Sequence, residues 1–253
     1  MSNSFFQFKQ FIIHQDKCAM KVTTDACLFG AWIVNRISKE TFPPDRLSQS
    51  AKINNCLDIG AGTGLLSFMI AQEYHDANID AMEIHEETAT QAKENADALF
   101  FKNRIHVVHA DARNYSFRCK YDLIVCNPPF YENELQSPSP EKNIAHHSQS
   151  LLLHELLPVI KNNLHSKGFF FLLMPFKRYE EIRKLPDKYE FDLLQMTFVK
   201  QSFYHDPFRV MLMGQLHSGR TIITEMDELS IWDENKNYSM EFTELLKDYY
   251  LYL

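Results

Sequence analysis

Asn127-Pro128-Pro129-Phe130, closing the apolar run Tyr121 to Cys126, is the part of this sequence best suited to handling a flat amine. An exocyclic NH2 on a nucleobase is a poor nucleophile, because its lone pair is delocalised into the ring. The amide oxygen of Asn127 and the main-chain carbonyl of Pro128 can each accept one of its N–H groups. Together they would draw electron density onto the nitrogen and aim its lone pair at an electrophile held opposite. The prolines fix the backbone and remove N–H donors that would compete for those acceptors. Phe130 offers a flat apolar face on which a base can stack.

An electrophile needs its own seat, and Leu57-Asp58-Ile59-Gly60-Ala61-Gly62-Thr63-Gly64 can supply it. Gly60 and Gly62 permit a tight turn and a close backbone approach, with a helix N-terminus just behind. The spacing is GxGxG with Asp58 two residues ahead, whereas nicotinamide folds usually carry GxGxxG. Glu83 lies about 20 residues further on, the offset of a carboxylate that bridges ribose hydroxyls. Asp111, with Ala112 beside it, follows the next apolar run and could accept a hydrogen bond from an adenine amino group. Asp is also common in turns on conformational grounds alone.

These residues must be held by alternating strands and helices. Ile53 to Ile59, Ile79 to Ile84, Ile105 to His109, Tyr121 to Cys126 and Gly168 to Met174 read as strands. Leu65 to Tyr74, Glu86 to Phe100 and Ser150 to Leu164 read as helices between them. Unbroken Val, Ile, Leu and Phe in the strands imply a sheet covered on both faces. The alternation implies parallel strands and right-handed crossovers. Lys177 to Tyr189 is predicted helical, and Phe191 to Val199 with Phe208 to Leu216 form a predicted hairpin around Asp206-Pro207. The expected fold is α/β, a doubly wound, mostly parallel seven-stranded Rossmann-like sheet with an antiparallel C-terminal hairpin. Residues 1–52 are an arm packing on a catalytic domain at 53–222, and 223–253 form an acidic extension that ends in a helix.

Composition sets outer bounds. With 45% hydrophobic and 23% charged residues, the chain is an ordinary globular one. No apolar run approaches the roughly 20 residues needed to span a bilayer, and the N-terminus lacks a secretion signal. A cytoplasmic protein with no membrane partner is expected. Five cysteines without a CxxC pair read as reduced thiols, and the histidine spacings do not build a metal site. The net charge of −7 conceals an uneven distribution. Residues 224–253 carry eight acids and two bases, while 161–220 carry ten bases and six acids. A local basic face is compatible with a phosphate backbone. Lys177, Arg178, Arg183, Lys184 and Arg209 are candidate phosphate contacts.

LDIGAGTG together with NPPF resembles the class I S-adenosylmethionine-dependent methyltransferases that modify amino nitrogens. The N-terminal arm narrows the likeness. Phe8-Lys9-Gln10-Phe11, the stretch Gln15 to Ala26 (QDKCAMKVTTDA) and Leu28-Phe29-Gly30-Ala31-Trp32 are similar to the opening of the bacterial tRNA1(Val) (adenine-N6)-methyltransferase family. Leu245 to Tyr250 extends the likeness to the end of the chain. The resemblance implies S-adenosylmethionine as cofactor and methylation of an adenine N6 in a tRNA anticodon loop, by a monomer without metal. It implies cofactor roles for Asp58, Gly60, Gly62, Glu83, Asp111 and Asn127, and target-amine binding by Asn127 and Pro128. Lys21, Thr23 and Asp25 would line the methionine end of the cofactor pocket, unless Thr23 and Asp25 merely cap a helix. Two departures stand out: Ala145-His146-His147 where a basic residue is expected, and Phe130 where adenine enzymes mostly carry tyrosine.

Other acceptors remain compatible with NPPF, namely guanine N2 in ribosomal RNA or a glutamine side chain on a release factor. The glutamine enzymes typically have a larger helical domain before the glycine loop, and only 56 residues precede Leu57. A non-catalytic module that binds S-adenosylmethionine or RNA would have no use for the acceptors at Asn127 and Pro128.

Overall fold

The computed structural model describes residues 3–18, 20–38, 52–128 and 151–253. Two short strands, β1 (Phe5–Gln7) and β2 (Ile12–His14), pair antiparallel and lead into helix α1 (Thr24–Ser38). The core then alternates β3 (Asn55–Ile59), α2 (Leu65–Glu73), β4 (Asn78–Glu83), α3 (Glu86–Asp97), β5 (Ile105–His109) and β6 (Tyr121–Cys126). It continues with α4 (Leu153–Asn163), β7 (Leu164–Pro175), α5 (Tyr179–Ile182), α6 (Leu185–Tyr189), β8 (Phe191–Ser202) and β9 (Pro207–Leu216). β10 (Glu225–Trp232) and α7 (Met240–Leu246) complete it.

The main sheet runs β10-β8-β9-β7-β6-β3-β4-β5. β7, β6, β3, β4 and β5 run parallel to one another, and β9 is antiparallel to both β7 and β8. The parallel strands are apolar throughout because both faces are buried. Phe169, Phe171 and Leu173 enter one cluster with α1, α2 and α7. Phe170, Leu172 and Met174, on the opposite pleat, enter the other with α4 to α6.

Eight strands are present where seven were expected. The additional one is β10, cut from the acidic extension and paired parallel to β8 at the sheet edge. Its first four residues are exposed, so its polar composition conceals a strand. The predicted helix over 177–189 is also divided, with Pro186 in the first turn of α6. Proline lacks the N–H that a helix interior needs, which favours a new start over a continuous rod.

Nine of the fifteen α1 residues are buried, Phe29, Trp32 and Ile33 among them. The N-terminal arm therefore lies in the main core. No helix among the described residues is long and apolar enough to cross a membrane.

Candidate active site

Pairing register places the chemistry-bearing residues at one edge. Ile59 lies opposite Cys126 on one side and Met82 on the other. The next residues, Gly60, Asn127 and Glu83, therefore stand level at the carboxyl ends of three adjacent strands, about 4.8 Å apart strand to strand. The chain fills positions on one side of β3 with β4 and β5, and on the other with β6 and β7. Such a reversal opens a crevice beyond the carboxyl ends of the strands.

The glycine loop is fixed from beneath. The N–H groups of Gly60 and Ala61 both donate to the carbonyl of Met82, at 2.8 and 2.9 Å. Gly60 and Gly62 have φ of 74° and 56°, and a Cβ placed on either would meet nothing within 4 Å. The turn demands these glycines by conformation, and it presents bare backbone to open space.

Glu83 is buried and braces the loop. Its Oε2 accepts from Gly62 N–H at 3.0 Å and its Oε1 from His85 N–H at 2.9 Å. One donor per oxygen leaves each with a further acceptor site for ligand hydroxyls.

Asp58 is buried at the end of β3. Its Oδ2 accepts from the N–H and the hydroxyl of Ser67, at 3.1 and 2.7 Å. Ser67 is the third residue of α2, so Asp58 satisfies one of the helix's orphan donors. Oδ1 is buried without a hydrogen-bond partner. Burial raises the carboxyl pKa to about 7, with Ser67 opposing the shift and the nearby Glu83 charge adding to it.

Beside the loop, Asn127 Oδ1 is also buried without a partner, and Pro128 next to it is buried. A buried amide oxygen left unsatisfied is costly and uncommon. It is ready to accept an N–H from a ligand. Phe130 and the Ala145-His146-His147 segment lie outside the described residues.

The arm residues take structural partners. Lys21 Nζ donates to the carbonyl of Asn3 at 3.0 Å. Thr23 Oγ1 accepts from Ala26 N–H at 3.4 Å, and Asp25 Oδ1 accepts from the same N–H at 3.1 Å. Asp25 Oδ2 reaches across to Arg209 on β9. Asp111 is gripped by the Arg113 guanidinium at 2.7–3.0 Å, which holds its carboxyl below the usual carboxylate range. Arg113 continues to Glu155 in α4 at 3.2 Å, and Ala112 is buried alongside. Among the candidate phosphate contacts, Arg178 pairs with Glu181, Arg183 with Glu180, and Arg209 with Asp25.

Two positioning residues escape sequence reasoning. Asn95 accepts from His14 N–H and donates to the His14 and Thr63 carbonyls, at 2.9, 2.9 and 3.2 Å. Gln91 accepts from Lys17 N–H at 2.7 Å and donates to Asp16 at 3.0 Å. Both are buried on α3, four residues apart; Gln91 ties the arm to α3, and Asn95 ties the arm to the glycine loop through Thr63. Their only signal is that they share the inner face of the helix with Thr88 and three alanines, Ala89, Ala92 and Ala96.

The family model for the methyltransferase small domain matches residues 29–190. The solved structure of a predicted O-methyltransferase from Agrobacterium tumefaciens shares the fold with a TM-score of 0.65. It covers 88% of this chain and 95% of its own at 15% identity. A protein of Listeria monocytogenes assigned to the class I S-adenosylmethionine-dependent methyltransferases reaches a TM-score of 0.56, over 85% of this chain and 67% of its own, at 13% identity. Glycine loop, strand-end carboxylate and sheet order together define a class I S-adenosylmethionine-dependent methyltransferase. The tRNA1(Val) (adenine(37)-N6)-methyltransferase of Dyadobacter fermentans is 37% identical, over 98% of both chains. The chain belongs to that family.

The residues present fit the cofactor. An open glycine turn, spare acceptor sites on Glu83 and an orphaned amide oxygen next door form a cradle with no other evident use. Gly60, Gly62 and Glu83 would hold the cofactor.

Proposed function

We propose that this protein methylates the N6 amine of an adenine in a tRNA anticodon loop, at position 37 of tRNA1(Val). The unpartnered, buried Asn127 Oδ1 beside the glycine loop carries this reading. Bound at the loop, S-adenosylmethionine supplies an electrophilic methyl group whose departure leaves a neutral thioether. Asn127 Oδ1 and the Pro128 carbonyl accept the two N–H groups of the amine and direct its lone pair at that methyl. Because the sulfur leaves uncharged, no strong general base is required, and the extra proton on nitrogen can pass to solvent. An anticodon-loop base is already poorly paired, so moving it into a pocket costs less than flipping one from a duplex. Polarisation by two carbonyl-type acceptors asks for neither a metal nor a second subunit, and the reading includes a metal-free monomer.

Purified protein with radiolabelled S-adenosylmethionine tests this against unmodified total tRNA, ribosomal RNA and a release factor. Label in tRNA that digests to N6-methyladenosine supports the proposal. Label confined to ribosomal RNA or protein, or no transfer despite cofactor binding, overturns it.

A further inference from the structure

Phe203 and Tyr204 occupy the two central positions of the β8–β9 turn and are 65% and 73% exposed. Such positions ordinarily take Gly, Asn, Asp or Pro, for conformational reasons. Two adjacent aromatics there expose a large apolar area without any contribution to the core.

The turn is held firmly. His205 N–H donates to the Ser202 carbonyl at 3.0 Å, and the Ser202 hydroxyl is hydrogen-bonded to His205 Nδ1 at 2.7 Å. Below it, Phe176, Tyr179 and Phe198 pack at centroid distances of 5.4–5.9 Å and brace the base of β8.

Register locates the pair relative to the site. Cys126 is opposite Leu172, and Leu173 is opposite Met211, so Met211 is level with Asn127 two strands away. β9 is antiparallel to β7, so its N-terminal end points the way the catalytic strands end. From Met211 back to Pro207 is about 13 Å along the strand, and two strand spacings add about 10 Å sideways. The aromatic tip therefore overhangs the crevice edge at a range that a few nucleotides can bridge. Residues 175–184 and 200–209, around its base, hold six Lys or Arg, of which Arg178, Arg183, Lys200 and Arg209 pair with Glu181, Glu180, Glu228 and Asp25.

We infer that the β8–β9 tip is an RNA-docking element, on which Phe203 and Tyr204 stack unpaired bases flanking the target adenine. The inference rests on the proposed tRNA reading. Stacking on aromatic side chains suits single-stranded loops, and the reach from the tip to the crevice beside Asn127 suits a strand whose neighbouring base enters the site. The pair act as positioning residues: they touch substrate remote from the reacting nitrogen.

The test uses the full chain carrying Phe203→Ser and Tyr204→Ser together, with unmodified tRNA as acceptor. Both side chains are exposed, so the melting temperature and S-adenosylmethionine affinity should match wild type. KM for tRNA should rise at least tenfold, the size of one lost stacking contact, while kcat at saturating tRNA changes less than twofold. The conservative pair Phe203→Tyr and Tyr204→Phe should restore KM. If wild type methylates tRNA and the serine variant keeps its KM within twofold, this inference is overturned and the tRNA reading stands. If wild type transfers no methyl group to tRNA, the tRNA reading fails and this inference falls with it.

Discussion

Arg209 Nε on β9 donates to the carboxylate of Asp25, in the first turn of α1, at 2.8 Å. Their side chains are 25% and 13% exposed, so the pair is largely withdrawn from water. It fastens the N-terminal arm to the antiparallel end of the sheet, one residue beyond the level of Pro128 on the strand register.

Half-buried ion pairs couple strongly because removing one partner strands the other. Asp25→Asn and Arg209→Met should each destabilise the protein by about 1–3 kcal/mol, with a coupling of at least about 0.5 kcal/mol in the double variant. Urea denaturation of the four proteins measures this. Strict additivity would show that the contact contributes nothing.

Replacing Asn127 with Ala should lower kcat by about 10²- to 10³-fold, the loss typical of one preorganised acceptor or donor at the reacting group. Calorimetric affinity for S-adenosylmethionine should stay within about threefold. A variant turning over within tenfold of wild type would remove Asn127 from the mechanism.

Asp58 makes stability depend on pH in an uncommon direction. Its carboxyl titrates near 7 when folded, against 3.8 ordinarily. Between these values the folded state holds a proton that the unfolded chain has released, so this residue's contribution is full below about pH 4. It declines as pH rises to about 7 and is level above that. The total is at most about 4 kcal/mol. Asp58→Asn should lack the slope, so the variant should gain on wild type from pH 4.5 to 7.5 in urea melts. Parallel pH profiles for the two proteins would contradict a raised carboxyl.

Asn95→Ala would remove the side-chain partner of the His14 N–H, the His14 carbonyl and the buried Thr63 carbonyl. A loss of about 2–4 kcal/mol in stability is expected. S-adenosylmethionine should also bind at least fivefold more weakly, because Thr63 of the glycine loop loses its anchor. Unchanged cofactor affinity in a destabilised variant would restrict Asn95 to holding the arm.

Much of this was legible in the sequence, for identifiable reasons. The parallel strands announce themselves because burial on both faces demands unbroken apolar runs, as in Phe169 to Met174. The glycine turn and Glu83 are legible because backbone geometry and ligand chemistry restrict residue type at short range. β10 was hidden because an edge strand with four exposed leading residues reads as a solvated acidic tail. Asn95, Gln91 and Arg113 were hidden because their partners depend on the folded chain. Asp111 was legible as an acid at a strand end, but its engagement with Arg113 was not.

Phe8 bridges to Tyr250, Lys9 N–H donates to the Tyr249 carbonyl, and Lys9 Nζ reaches the carbonyl of Lys247, 238 positions away. During synthesis on a ribosome, the early segment would wait for these late partners to emerge before settling. Docking of Phe8 and Lys9 therefore waits for residues 247–250, whereas His14, Asp16 and Lys17 can meet Asn95 and Gln91 of α3 as soon as that helix has formed.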